Sequence, residues 1–406
     1  MTQATGPLKD LTIIDCTMAL AGPFGTALLA DLGANIIKVE PPKGDGARPS
    51  PPLPPDYVNA TSGEAPHGVN FGGYFASINR NKRSIVLDLK NPDDKEKLLQ
   101  MVEQADAVVE NMRAGVMDTL GVGYDVMSKR NPKLVYGCIR GFGDPRTLES
   151  PYAEWPAYDI VAQAVSGHAH ITGPENSETG FPSGVSVGDI YPGTLMALGL
   201  VSAIHHAKQS GEGQFFDIAM YDAMLAFCET VVVNYGYPQQ ASLGPRGQHH
   251  PNLMPFGIFP TSDGAVAIGA PGPKHWEALC EAMNRSDLIA DDRAKNTFVR
   301  KRNQVFIEAQ ISAWTSSLSK HEVIAVLGGQ VPCGPVNTAE DIFADPHVEA
   351  REMITRFQLP GDNPEVAIVG TPFKFSQTKA GFYRRPPNLG EHTAEILEEF
   401  GLSEEP

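Results

Sequence analysis

Strand-like and helix-like runs alternate through the first 140 residues, and that alternation leaves few folds open. Residues 10–17 (DLTIIDCT) are β-rich, 22–33 (GPFGTALLADLG) read as a helix closed by Gly33, and 35–40 (NIIKVE) read as a second strand. The pattern recurs as strand 84–88, helix 92–105 with Pro92 in its first turn, strand 106–110, helix 124–130 and strand 134–140. Repeated βαβ units make neighbouring strands parallel and cover them with helices, so the expected class is α/β. The connection 41–70 carries seven prolines in residues 41–55. It is too long for an ordinary βα loop and reads as a lid or a partly mobile loop.

A long helix is expected over about 189–208, then a strand over 214–220 and a helix over 221–234. Near residue 240 the pattern changes. Residues 257–269 read as a β-hairpin around Asp263-Gly264, followed by helices near 273–284, 301–318 and 320–328. The last opens with Ser319 and Glu322 in capping-box spacing. Residues 240–330 are therefore expected to form a smaller α+β domain, and 331–406 return to short strands, loops and a terminal helix.

Length and charge narrow the function. A chain of 406 residues, 42% of them hydrophobic, can bury a large core and suits two domains. Its five cysteines have no framework or CxxC spacing, which argues for a reducing compartment. The net charge of −16 opposes an extended phosphate-binding surface, so nucleic acid is not expected as a partner. The N-terminal residues lack the pattern of a signal peptide, and no apolar run of about 18 residues is apparent, so the expectation is a cytoplasmic protein with no membrane partner.

The familiar cofactor motifs are missing: GxGxxG does not follow the first strand, and GxxxxGK[ST], GxSxG and HExxH do not occur. Adjacent His249 and His250 point to opposite sides of an extended segment and lack partners at ligand spacing, so no metal is expected. Asp189 stands apart. It follows a turn of small residues (182–188) and precedes the long helix, where Asp suits an N-cap, and the dipole and free N–H groups there favour its ionised form. An ionised carboxylate is also what a carboxylate nucleophile requires. Lys90, Arg113 and Arg140 follow successive strands at the C-terminal edge, where open α/β sheets bind ligands.

The segments LTIIDCTMALAGPFGTALLADLGANIIKVEPPKGDGAR, NRNKRSIVLDLKNPDDKEKL, VVENMRAGVMDTLGVGYD, AYDIVAQAVSG, GVSVGDIYPGTLMALGLVSAIHHAKQSGEGQFFDIAMYDAML, VPCGPVNTAEDIFADP, TPFKFS and LGEHTAEIL together resemble the class III CoA-transferases. That family includes formyl-CoA:oxalate and carnitine CoA-transferases and the α-methylacyl-CoA racemases. The resemblance implies a large Rossmann-like domain from residues 1–239 and 331–406, with an open, mostly parallel sheet, a smaller domain from 240–330, and an interlocked homodimer. It implies Asp189 as nucleophile, acyl-CoA thioesters as substrates and no permanently bound cofactor. CoA contacts are expected from Leu20, Leu87, Asp88, Leu89, Lys90, Asn111, Met112, Arg113, Arg140, Tyr158 and Asp159.

Departures from the formyl-CoA transferases are Leu20 in place of Gln, Pro41 in place of Arg, and Gly269-Ala270-Pro271-Gly272 as a loose echo of their glycine-rich loop. Oxalate and formate are not the expected acids. AVSGHAHITGPENS is closer to members that use succinyl-CoA with C4 to C6 dicarboxylic acids. Arg48, Arg80, His249 and His250 are the candidates for holding the second carboxylate. An acyl-CoA racemase of the same fold is the alternative, and its acid–base histidine would sit in a GHD segment where this chain has Ala157-Tyr158-Asp159. A CoA-binding scaffold without catalysis would lack the nucleophile.

Overall fold

The computed structural model describes residues 5–57, 68–237, 244–361 and 363–402. Part of the proline-rich connection and the expected boundary at 239–240 lie outside the described residues. Two compact units are present: Met1–His168 with Pro182–Val232 and Pro346–Pro406, and Ala169–Phe181 with Val233–Asp345.

In the first unit the expected βαβ repeats are realised as β1 (Thr12–Cys16), β2 (Asn35–Glu40), β3 (Arg83–Val86), β4 (Ala107–Glu110), β5 (Val135–Arg140) and β6 (Phe215–Ala219). They pair in parallel in the order β3-β2-β1-β4-β5-β6. Both faces are apolar because successive side chains alternate between two cores. Ile13, Ile36, Val109 and Val135 join one core; Ile14, Ile37, Val108 and Tyr136 join the other. The first core is completed by the helices Ala21–Asp31 and Val187–Ser210, the second by Pro92–Val102, Tyr124–Arg130 and Thr393–Glu399. Strand order reverses between β1 and β4, so the crevice for a ligand lies beyond their C-terminal ends.

The Val187–Ser210 helix starts two residues earlier than expected. It is long and apolar enough to cross a membrane by length and composition, which the sequence reading did not anticipate. Here it packs on the sheet, with Met196, Leu200 and Ile204 in the core. It crosses the Ala21–Asp31 helix at two glycines. A Cβ on Gly193 would lie 2.2 Å from the Ala21 carbonyl oxygen, and one on Gly25 would lie 2.4 Å from that of Gly193. Only hydrogen at both positions lets the backbones meet, and this fixes the start of the long helix against the first βα turn.

The second unit carries an antiparallel sheet of β7 (Phe256–Thr261), β8 (Gly264–Gly269) and β9 (Cys333–Pro335). Pairing of β9 with β8 draws residues beyond 330 into this unit. Phe259, Ile268, Trp276, Leu279, Ile311 and Val323 build its core. The expected 301–318 helix is split into Thr297–Arg302 and Gln304–Thr315, and Ser319 and Glu322 form the expected capping box. An antiparallel pair, β10 (Ile354–Gln358) and β11 (Glu365–Val369), belongs to the first unit.

Candidate active site

The β1–β4 edge is held by buried charge. Asp15, at the end of β1, accepts from Lys82 Nζ at 2.9 Å, Thr26 Oγ1 at 2.7 Å and the Thr17 amide at 2.9 Å. Lys38 Nζ donates to the Thr17 carbonyl at 2.8 Å and pairs with Asp45 Oδ2 at 2.9 Å. Burial works to raise the Asp15 carboxyl, but Lys82 and Lys38 outweigh it and hold it well below the usual range. Burial drives Lys82 down to about 8 despite Asp15. Asp45 Oδ1 accepts the Ala19 amide at 3.2 Å. Ala19 has φ of 63°, a strained conformation for a residue with a Cβ, which these contacts over-determine. Asn111, following β4, donates to the Met18 carbonyl at 2.7 Å and accepts the Met18 amide at 2.8 Å.

Asp189 is the third residue of the Val187–Ser210 helix. The N-cap is Ser186, so the capping role expected for Asp189 is corrected. The expected ease of ionisation is also reversed: burial first, and then the charge of Asp159, raise Asp189 to about 7. The helix terminus does not counter this because its donors are taken. The Asp189 amide bonds the Ser186 carbonyl at 3.0 Å, and the Gly188 amide donates to Asp159 Oδ1 at 2.7 Å. Among the described residues the Asp189 carboxylate has no side-chain hydrogen bond, which leaves both oxygens available to a reactant.

Asp159 opens the Asp159–Val165 helix and is gripped through both oxygens by Gln163 Nε2, at 2.9 and 2.8 Å. Gln163 is fully buried, and its Oε1 accepts the Ser183 amide at 2.7 Å. Tyr74, on the Gly73–Ile78 helix, has its phenol pushed up by burial and then by Asp189, Asp45 and Asp159. Sequence reasoning singled out neither Gln163 nor Tyr74. Gln163 lies within the matched AYDIVAQAVSG segment, four residues after Asp159 and so on the same helix face; Tyr74 follows the long connection and carries no local signal.

Other expected contacts divide by location. Leu87–Lys90 follow β3 and Asn111–Arg113 follow β4. Leu87 is buried in the core, Asp88 caps the turn by accepting the Lys90 amide at 3.0 Å, Leu89 and Met112 are half-buried, and Lys90 and Arg113 are exposed. Leu20 is buried as N-cap of the Ala21–Asp31 helix, and Tyr158 is exposed.

Three arginines prove to be structural. Arg140 is buried and spends its guanidinium on Glu110 (2.5 and 2.8 Å), Asp144 (3.1 Å) and the Met112 carbonyl (2.6 Å), so it is not the phosphate contact expected. Arg48 is buried against Glu40 (2.6 and 2.8 Å), Asn70 (2.9 Å) and the Pro387 carbonyl (3.2 Å). Arg80 is buried in a bidentate pair with Asp31 (2.6 and 2.9 Å). The expected role of Arg48 and Arg80 in binding a distal carboxylate is therefore corrected. Each pairs its charge with a buried carboxylate, Glu40 or Asp31.

The histidines lie in the second unit. His249 is buried, with Nε2 3.3 Å from Glu308 Oε2 and its ring 5.3 Å from that of Phe259. His250 Nδ1 accepts the amides of Asn252 and Leu253 at 3.1 and 3.2 Å, which leaves Nε2 as its only possible donor. Buried Arg300 donates to the carbonyls of Met254, Ala294 and Pro271 at 2.8, 2.8 and 2.6 Å, anchoring the 269–272 loop.

The profile of CoA-transferase family III matches residues 8–393. A succinyl-CoA:mesaconate CoA-transferase from Haloarcula hispanica is 42% identical over 399 residues, covering 98% of this chain and 97% of that protein. A succinate–glutarate CoA-transferase from Agrobacterium fabrum is 34% identical over 395 residues, covering 97% and 95%. Among solved structures, a CaiB/BaiF family protein from Brucella suis superposes with a TM-score of 0.84 at 32% identity, covering 98% of this chain and 100% of that one.

Proposed function

The chain belongs to CoA-transferase family III and is a CoA-transferase, and from that premise we propose that it carries CoA from succinyl-CoA, or a related dicarboxylyl-CoA, to a C4 to C6 dicarboxylic acid, with Asp189 as covalent nucleophile. One observation carries the role of Asp189: a half-buried carboxylate without a hydrogen-bond partner among the described residues, raised in basicity, at the end of a helix locked against the ligand-binding edge. The relatives that act on succinyl-CoA with mesaconate or glutarate support the substrate class.

Asp189 attacks the thioester carbonyl of the donor, the CoA thiolate departs, and a mixed anhydride remains. The thiolate then attacks the aspartyl carbonyl, giving an aspartyl-CoA thioester and releasing the donor acid. The acceptor carboxylate attacks that thioester and forms a second anhydride. The thiolate collapses this to the new acyl-CoA and restores Asp189. One thioester is exchanged for another, so the chemistry needs no external energy source. A carboxylate is a weak nucleophile, so the rate depends on holding reactants in line, which supplies on the order of 7–11 kcal/mol, with the CoA nucleotide contributing remote binding energy.

The working form is a cytoplasmic homodimer. The apolar side chains of Leu148, Trp155, Tyr158, Ile160 and Leu198 are exposed in the single chain, and a second copy is the partner that covers them. Sedimentation at nanomolar concentration is expected to give a dimer; a folded monomer would contradict this.

A panel of acids offered with succinyl-CoA, read by mass spectrometry of the CoA products, tests the substrate class. C4 to C6 dicarboxylates are expected to give new CoA thioesters. Turnover of only monocarboxylates or oxalate would overturn the assignment.

A further inference from the structure

We propose that Asp159 is a positioning carboxylate for Asp189: locked by Gln163 onto the Gly188 amide, it occupies the helix-terminal donor that would otherwise stabilise the Asp189 anion and pins the turn leading to it. The inference rests on Asp189 being the nucleophile only in its kinetic consequences; the pairing itself stands on geometry.

The Asp159–Val165 helix holds the Ser183–Gly188 turn at both ends. Asp159 Oδ1 takes the Gly188 amide at 2.7 Å, and Gln163 Oε1 takes the Ser183 amide at 2.7 Å. The orientation of the Gln163 amide is fixed by its partners: a backbone N–H can only donate and an ionised carboxylate can only accept, so Oε1 faces Ser183 and Nε2 faces Asp159. Gly188 approaches so closely that a Cβ there would lie 2.7 Å from the Asp159 carbonyl oxygen and 2.9 Å from Oδ1. Asp159 is thus an anion bound at a helix N-terminus, one residue before Asp189.

The consequence is electrostatic. An anion already seated on the Gly188 N–H cancels the benefit that Asp189 would draw from it and repels its charge. Asp189 stays basic, and a more basic carboxylate is the better nucleophile toward a thioester. Within the first unit the pair acts in turn on Tyr74, which burial and then Asp189, Asp45 and Asp159 raise, and on His168, which Asp159 works to raise while burial lowers it.

The test exchanges charge while keeping hydrogen bonds. In Asp159→Asn alone, the Asn amide nitrogen meets Gln163 Nε2, donor against donor. In Asp159→Asn with Gln163→Glu, the Asn donates to the introduced carboxylate, which still accepts the Ser183 amide, so the turn is held again with the charge moved away from Gly188. Carbon-13 NMR of carboxyl-labelled aspartate in the full-length protein, assigned by difference from Asp189→Asn, reads the titration directly. The Asp189 midpoint is expected to fall by about one pH unit or more in both variants. The double variant is expected to regain at least tenfold of the kcat lost in Asp159→Asn. An unchanged midpoint, or a double variant no better than the single one, would overturn the proposal. A midpoint that moves while the acid limb of kcat/KM stays fixed would uphold the pairing and count against Asp189 as nucleophile.

Discussion

Asn111 and Met18 are joined by two hydrogen bonds, at 2.7 and 2.8 Å, that tie the residue after β4 to the turn after β1. The bonds span the point where strand order reverses, so Asn111 shapes the ligand-binding edge from within. Removing two bonds to main-chain groups costs roughly 1–3 kcal/mol. Asn111→Ala is therefore expected to lower kcat/KM by about 5- to 150-fold, read by steady-state kinetics. Asn111→Asp keeps the acceptor but sets a carboxylate against the Met18 carbonyl, and is expected to be at least as damaging.

The raised Asp189 pKa has opposite effects on activity and stability. The nucleophile must be ionised, so kcat/KM is expected to fall as pH drops below about 7. The folded-state pKa lies above that of an unfolded aspartate. The folded chain therefore holds the extra proton between about pH 4 and 7, and this group's contribution to stability declines as pH rises through that window. Asp189→Asn removes the buried charge. Solvent reaches part of the carboxylate, which keeps the gain below the full linkage value. Urea unfolding at pH 8 is expected to show the variant more stable by roughly 1–3 kcal/mol, with the difference gone at pH 4.

Arg48→Ala and Arg80→Ala are expected to be stability variants rather than specificity variants. Each strands a buried carboxylate, Glu40 or Asp31, at a cost of about 3–5 kcal/mol. Denaturant unfolding should show that loss, and KM ratios between dicarboxylic and monocarboxylic acceptors should stay the same in the surviving folded protein. For Arg48, the Glu40→Gln background is expected to recover part of the stability.

Gly25→Ala would drive a Cβ to 2.4 Å from the Gly193 carbonyl oxygen and force the two helices apart. Overpacking of this kind typically costs about 1–3 kcal/mol. Because Asp189 lies one turn from Gly193, kcat is expected to drop more than KM changes. Comparison of urea midpoints with kcat measures the two effects separately.

The parallel sheet was legible in the sequence because its strands are short apolar runs between periodic helices, and Ile13-Ile14 and Ile36-Ile37 already mark two buried faces. The prominence of Asp189 was legible from the small residues before it. Its ionisation was not, because Asp159 lies thirty residues upstream and meets Gly188 only through folding. Arg48, Arg80 and Arg140 looked like ligand contacts because a sequence shows charge but not its partner; each pairs with a carboxylate buried in the same unit. The resemblance to family III nonetheless located the segments Leu87–Lys90 and Asn111–Arg113 at the edge where β3 and β4 end.

Chemical trapping reads the covalent role of Asp189 directly. The protein is mixed with succinyl-CoA, quenched with hydroxylamine and digested, and the peptide containing Asp189 is examined by mass spectrometry. An aspartyl anhydride or aspartyl-CoA thioester is converted to a hydroxamate at that carboxyl. A hydroxamate at Asp189 is expected that depends on succinyl-CoA and is absent from Asp189→Ala. A hydroxamate at another residue, or full transfer activity with no modification at Asp189, would contradict it.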